Sequence, residues 1–168
     1  MPQFSGTVNI GVSANLSNSV DVGQVNYPIS YGINYLLQNG NGDNQANEVF
    51  TDTRTIAASG SENLDLSGVL ADVFGSTINF TRIKALIIKA DQSNTNDVLV
   101  GGHASAAVAS LFGDATDKAR VKPGGAVAFI APNATGYTVT ATTADMLTVA
   151  NSSSGSSVTY TIIIIGTI

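Results

Sequence analysis

The one histidine of this chain, His103, is its strongest candidate for proton or nucleophile chemistry. It stands in VGGHASAAVAS, just ahead of Ser105, and in a Ser-His-Asp arrangement its imidazole would be the base that takes the serine proton. Triad partners meet only in the fold, so spacing does not exclude such a site. Yet Ser105 sits in no Gly-x-Ser-x-Gly turn, and a lone imidazole among alanines is more ordinarily a structural or surface residue. A histidine-ligated zinc site is disfavoured for a related reason: such sites draw on several imidazoles or thiolates, and this chain has one imidazole and no cysteine.

The segment Asp91 to Asp97, DQSNTND, places oxygen-bearing side chains at alternate positions, as a calcium loop does at its start. The sixth position is Asn96 where such loops need glycine, and the twelfth is Gly102 where they need glutamate. Asx-turn chemistry between two strands accounts for the same residues, so no metal or other cofactor is expected. Lys118, Arg120 and Lys122 alternate, so in an extended segment they project from one face, and Pro123, Gly124 and Gly125 then turn the chain. This basic triplet is either a solvated hairpin tip or a contact for an acidic partner surface, with Arg120 offering a bidentate fork. Tyr27, Tyr31 and Tyr35 fall on one segment. Carbohydrate-binding faces use such rings, but Tyr31 and Tyr35 also point the same way along a strand, as core or interface residues would.

The elements that must position these residues belong to a charge-poor chain. Only 11% of the 168 residues are charged, against roughly 25% in ordinary domains. Twelve acids against seven bases give a net charge of −5, and no lysine or arginine precedes Arg54. Nucleic acid is therefore not expected as the main partner, since phosphate binding needs a dense basic footprint. The absence of cysteine rules out disulfides and fits synthesis in a reducing compartment. The opening MPQFSGTVNIGVSANL has neither a basic n-region nor an apolar h-region, and apolar runs such as Ile162 to Ile165 fall far short of the ~20 residues of a membrane helix. A soluble product made in the cytoplasm, with no membrane partner, is expected. Surfaces this rich in small neutral residues suit packing against copies of themselves or a partner.

Period-two alternation broken by Gly, Asn and Ser clusters predicts strands near Ser5 to Leu16, Ser30 to Gln38, Glu48 to Ala58, Glu62 to Leu66, Ile78 to Ala90, Val98 to Leu111, Ala126 to Ala131, Tyr137 to Ala141, Leu147 to Ala150 and Ser157 to Thr167. About eight to ten short strands make an all-β, antiparallel β-sandwich in a single domain spanning 1–168. Leu36 to Asn47, with its Asn-Gly steps, is expected as a loop, and one helical turn is expected at Ser67 to Phe74, capped by Ser67 and stopped by Gly75. The uncharged, β-prone SVTYTIIIIGTI would template aggregation on an open edge, so it must lie inside a sheet or under another subunit.

Two stretches carry a resemblance: Tyr31 to Gly102 and Val121 to Thr167. Within them run LDLSG, LADVFG, RIKALIIKA, an Asn-rich turn, and KPGG before an apolar strand. In these motifs the chain resembles a family of small virion structural proteins of tailed bacteriophages. The resemblance implies a jelly-roll-like sandwich and a non-enzymatic role as a capsid decoration or cement protein. It implies as partners the major capsid protein and other copies of the chain, a homotrimer, on the capsid exterior. It supplies no catalytic residues. Residues 1–30 match least and are expected as an arm reaching a neighbouring subunit. Phe4 in that arm, with Lys118, Arg120 and Lys122, are the expected contact residues. The rival readings are a head-fibre or tail module that binds host saccharide through the tyrosines, and a tail or baseplate component.

Overall fold

The computed structural model describes residues 3–168, so Met1 and Pro2, part of the expected arm, lie outside the described residues. The strands are β1 (Ser5–Val20), β2 (Gly23–Asn39), β3 (Gln45–Ala46), β4 (Glu48–Ile56), β5 (Ser61–Asp65), β6 (Ser67–Ala71), β7 (Thr77–Asn79), β8 (Arg82–Ala90), β9 (Val98–Gly101), β10 (Lys118–Val121), β11 (Ala126–Ile130), β12 (Tyr137–Thr138), β13 (Met146–Asn151) and β14 (Val158–Thr167). One 3-10 turn, Ala109–Leu111, is the only helical element among the described residues.

Two sheets, each with four main strands, build the head. One sheet has the order β11-β8-β14-β4, with β12 also beside β8; the other has the order β10-β9-β13-β5. The pairing is nested and antiparallel: β4 with β14, β5 with β13, β8 with β11, and β9 with β10. A single long ribbon is thus doubled back on itself and rolled so that successive pairs alternate between sheets. That is the jelly-roll form of the expected β-sandwich. Leu86, Ile88, Tyr160, Ile162 and Ile164 from the first sheet meet Leu64, Val98, Val100, Leu147 and Val149 from the second, and each is buried. Full burial of each aliphatic side chain contributes about 1.5–3 kcal/mol.

The isoleucine run is explained by what lies on each face of β14. Ile162 and Ile164 point into the core, whereas Ile163 and Ile165 point outward into a second apolar cluster with Val8, Leu37, Ala46 and Ala85. Further up the same outward face, Thr161 meets Thr53 and Thr159 meets Thr55 in cross-strand hydroxyl pairs at 3.0 Å. The outer face is therefore half polar and half apolar, and the base of the β1–β2 hairpin covers the apolar half. The terminal strand lies between β8 and β4, inside the sheet as expected.

A bulge re-aims β8. Ile165 of β14 faces Ala85 and Gly166 faces Ile83, leaving Lys84 as the extra residue. Ile83 can then join the core although Leu86 and Ile88 also do. Lys84 is fully buried and donates from Nζ to the carbonyls of Gly42 (3.2 Å) and Asn133, tying the turn at Gly40–Asn44 to the turn after β11.

Several expected boundaries move. Ser67 to Phe74 is no helical turn: Ser67–Ala71 and Thr77–Asn79 form a small hairpin whose turn holds Val73 and Phe74, because Gly68 (φ 143°) and Gly75 (φ 84°) have backbones outside the helical range. Val98 to Leu111 stops being a strand at Gly101, since Gly101 and Gly102 have φ of 108° and 83°. Phe80 and Thr81 separate β7 from β8 within the predicted strand Ile78 to Ala90, and where the expected strand Ser30 to Gln38 and the expected loop Leu36 to Asn47 overlap, the residues belong to β2, which runs to Asn39.

Candidate functional site

The largest departure from an ordinary domain is the β1–β2 hairpin. Its register runs unbroken from Ser5↔Gln38 to Val20↔Gly23, which at ~3.4 Å per residue makes a ribbon about 50 Å long. Only its base touches the head, through Val8, Leu37, Phe4 and Tyr35 in the second apolar cluster. From Asn9 to the tip and back to Gly32 every residue is exposed.

Residues facing each other across an antiparallel pair share a face, and the register sorts the hairpin into two. One face carries Val8/Tyr35, Ile10/Ile33, Val12/Tyr31, Ala14/Ile29, Leu16/Tyr27 and Asn18/Val25. The other carries Thr7/Leu36, Asn9/Asn34, Gly11/Gly32, Ser13/Ser30, Asn15/Pro28, Ser17/Asn26 and Ser19/Gln24. On the first face Ile10, Val12, Leu16, Val20, Val25, Tyr27, Ile29 and Tyr31 are 41–72% exposed. At on the order of 100 Å² each they present ~800 Å², more than the ~300–600 Å² of the largest apolar patch on a typical monomer. The only charged side chain between Ser5 and Asn39 is Asp21, at the tip. This face is thus exposed, apolar and uncharged along its length.

The residues singled out in the sequence are placed as follows. His103 lies in a turn, not a strand, and its Nδ1 accepts from the backbone N–H groups of Ala106 (3.0 Å) and Ser105 (3.4 Å). That nitrogen is occupied in holding the turn. In the segment Asp91 to Asp97, Asp91 accepts from the N–H and hydroxyl of Ser93, Asn94 exchanges hydrogen bonds with the backbone of Thr159, and Asn96 donates to Asn151, Ser153 and Ser156. These contacts lock turns and hold the segment to β13 and β14. Among the described residues no three His, Cys, Asp or Glu side chains gather as a metal site would require.

Lys118, Arg120 and Lys122 do project from one outer face of β10, while Val121 points into the core. Arg120 and Lys122 both donate to Oδ2 of Asp97, at 2.7 and 3.0 Å, and these bonds hold that carboxyl below the usual carboxylate range. The stem of Lys118 lies over Gly102, where a Cβ would collide with it. Two of the three cations are thus partnered within the chain. Phe4 is half-buried at the hairpin base and lines a groove of about 230 Å³ with Val49, Val73 and Phe74. Tyr35 packs on the head, but Tyr27 and Tyr31 are exposed, so only one of the three rings packs within this chain.

The exposed row on β2 was readable in part. Val25, Tyr27, Ile29, Tyr31 and Ile33 alternate without a break, yet Asn26 and Pro28, both poor strand residues, stand between the first of them, and the expected strand starts only at Ser30. No protein-family model, curated protein or solved structure matches this chain.

Proposed function

We propose that this protein is a non-enzymatic virion structural subunit of a tailed bacteriophage, a decoration or cement protein on the capsid exterior. The observation that carries the reading is the hairpin face: ~800 Å² of neutral apolar surface is about what one partner contributes to a standard protein interface. The eight-stranded jelly roll is a fold that capsid proteins share with lectins and other domains, so it is compatible with this role without specifying it. The resemblance in Tyr31 to Gly102 and Val121 to Thr167 adds the phage context. The mechanism is adhesive. Copies that bind the assembled shell, and not its free subunits, raise the work needed to separate shell subunits. The major capsid protein and other copies of this chain, in a homotrimer, are the proposed partners, with Phe4, Val73 and Phe74 as a second apolar contact.

Exposure of Tyr27 and Tyr31 favours a second reading, a fibre or tail module that stacks host sugars on these rings. The same face holds aliphatic residues around the rings and few groups to bond sugar hydroxyls, which weighs toward protein contact. Copy number in purified virions separates the two. A simple ratio to the major capsid protein, by gel densitometry, is expected; a ratio of a few per cent or less would overturn the decoration reading.

A further inference from the structure

We infer that the exposed face of the β1–β2 hairpin is a seam between copies of this chain, packed with the hairpins parallel and their tips together. The inference rests on the adhesive reading of that face and names its occupant.

Three observations point to a second copy. First, the face is neutral along its length, so stacking it on itself brings no like charges together and strands no ion; Asp21 sits at the tip, beside open solvent. Second, the two rows are unequal in bulk. The β2 row carries the rings Tyr27, Tyr31 and Tyr35, whereas the β1 row is aliphatic, with Ile10, Val12, Ala14 and Leu16. Rotation about an axis along the hairpin sets the β2 row of one copy against the β1 row of the next, large against small. The antiparallel alternative stacks tyrosine row on tyrosine row and drives each tip toward the other head. Third, the same stripe already shows what it packs against. At its base it is buried on Ile163, Ile165 and Ala85 of the head, a neutral aliphatic surface like the β1 row beyond it.

The area is sufficient, since ~800 Å² per copy matches a standard interface, before any contact between heads is counted. A closed rotational arrangement also solves the chain's own difficulty. A two-stranded ribbon is at best marginally stable alone in water, and mutual burial supplies the third and fourth strands' worth of packing it lacks.

Cysteine chemistry tests the arrangement on a clean background, because the chain has no cysteine. Val22 is 98% exposed, so Val22→Cys leaves the fold intact, and Ser154→Cys, in an exposed head turn, is the control. Full-length protein at micromolar concentration is expected to show two or three times the monomer mass by light scattering. A bismaleimide reaching ~10 Å, the spacing of stacked sheets, is expected to link V22C chains and not S154C chains. The double variant Val12→Asn with Tyr31→Asn, a cross-strand pair in the exposed stretch, is expected to be monomeric with an unchanged head melting transition. A monomeric wild type, a multimer indifferent to that double variant, or a multimer that V22C fails to link overturns the parallel seam. Binding of the same proteins to purified shells then separates the two claims. A monomeric wild type that binds shells, where the double variant does not, overturns the seam and leaves the adhesive reading standing; a multimer that does not bind shells does the reverse.

Discussion

Arg120 donates from Nη1 to Oδ2 of Asp97 at 2.7 Å, joining the start of β9 to the outer face of β10. Lys122 bonds the same oxygen, and together they lower the Asp97 pKa, the Arg120 hydrogen bond being the larger cause. A carboxyl whose folded value lies below its unfolded value contributes stability above the unfolded value, about 3.9, and loses it as pH falls through the folded one. Asp97→Asn is therefore expected to melt lower than wild type at neutral pH, with the gap closing below about pH 4. Melting temperature measured against pH for both proteins checks this. A gap that persists in acid would show that the ion pairs do not account for the difference.

Lys84 gives the opposite pH dependence. Burial lowers its pKa, nearby Arg82 lowers it further, and Asp43 opposes both. The folded amine therefore releases its proton before the unfolded one does. The penalty for burying the charge is present at neutral pH and eases as pH rises toward about 10.4. Lys84→Met removes that slope but leaves the Gly42 and Asn133 carbonyls without their donor, at about 1–3 kcal/mol for each that stays unsatisfied. Net destabilisation at pH 7 is expected by denaturant titration. Faster amide exchange in the Gly40–Asn44 turn would accompany it.

Gly166 follows the bulge in the central strand. A Cβ there would meet the Arg82 carbonyl oxygen and, at 2.8 Å, the ring of Phe80. Gly166→Ala is expected to cost about 1–3 kcal/mol, the usual range for overpacking, because backbone must move to admit the methyl. An unchanged denaturation midpoint would show that this contact yields easily.

The distal hairpin is expected to be dispensable to the head. Asn9 and Asn34 face each other across the ribbon, so Ile10 to Ile33 can be replaced by an Asn-Gly turn. The head cores draw on no side chain between Asn9 and Asn34. The shortened protein should melt close to the unshortened chain and, on the adhesive reading proposed above, lose attachment to shells. Loss of cooperative unfolding would mean that the ribbon is part of the folding unit.

Alternation made the head legible. Where a strand of five or more residues turned one face to the core and the other to water, as in β4, expected and observed elements agree within a few residues, whereas the four-residue β10 was too short to stand out as a strand. The failures have local causes. Leu70, Val73 and Phe74 have helical spacing, but Val73 and Phe74 are exposed turn residues. Gly101 and Gly102 end a strand that an apolar run alone would carry on to Leu111. The hairpin was the harder case, because a stripe of apolar residues looks the same whether it faces its own core or nothing in its own chain. Tyr31 and Tyr35 share that stripe, and only the position of the head along the ribbon makes one packed and the other exposed.

A ribbon whose one charged group is Asp21 has little to lose to counterions. Whatever it adheres to, that attachment should hold in high salt, where contacts built on ion pairs are screened, and should tighten in sulfate or phosphate. Chilling should loosen it, since the driving force of apolar burial fades on cooling. Any assembly held together by this hairpin would thus be brine-tolerant and cold-sensitive at that contact.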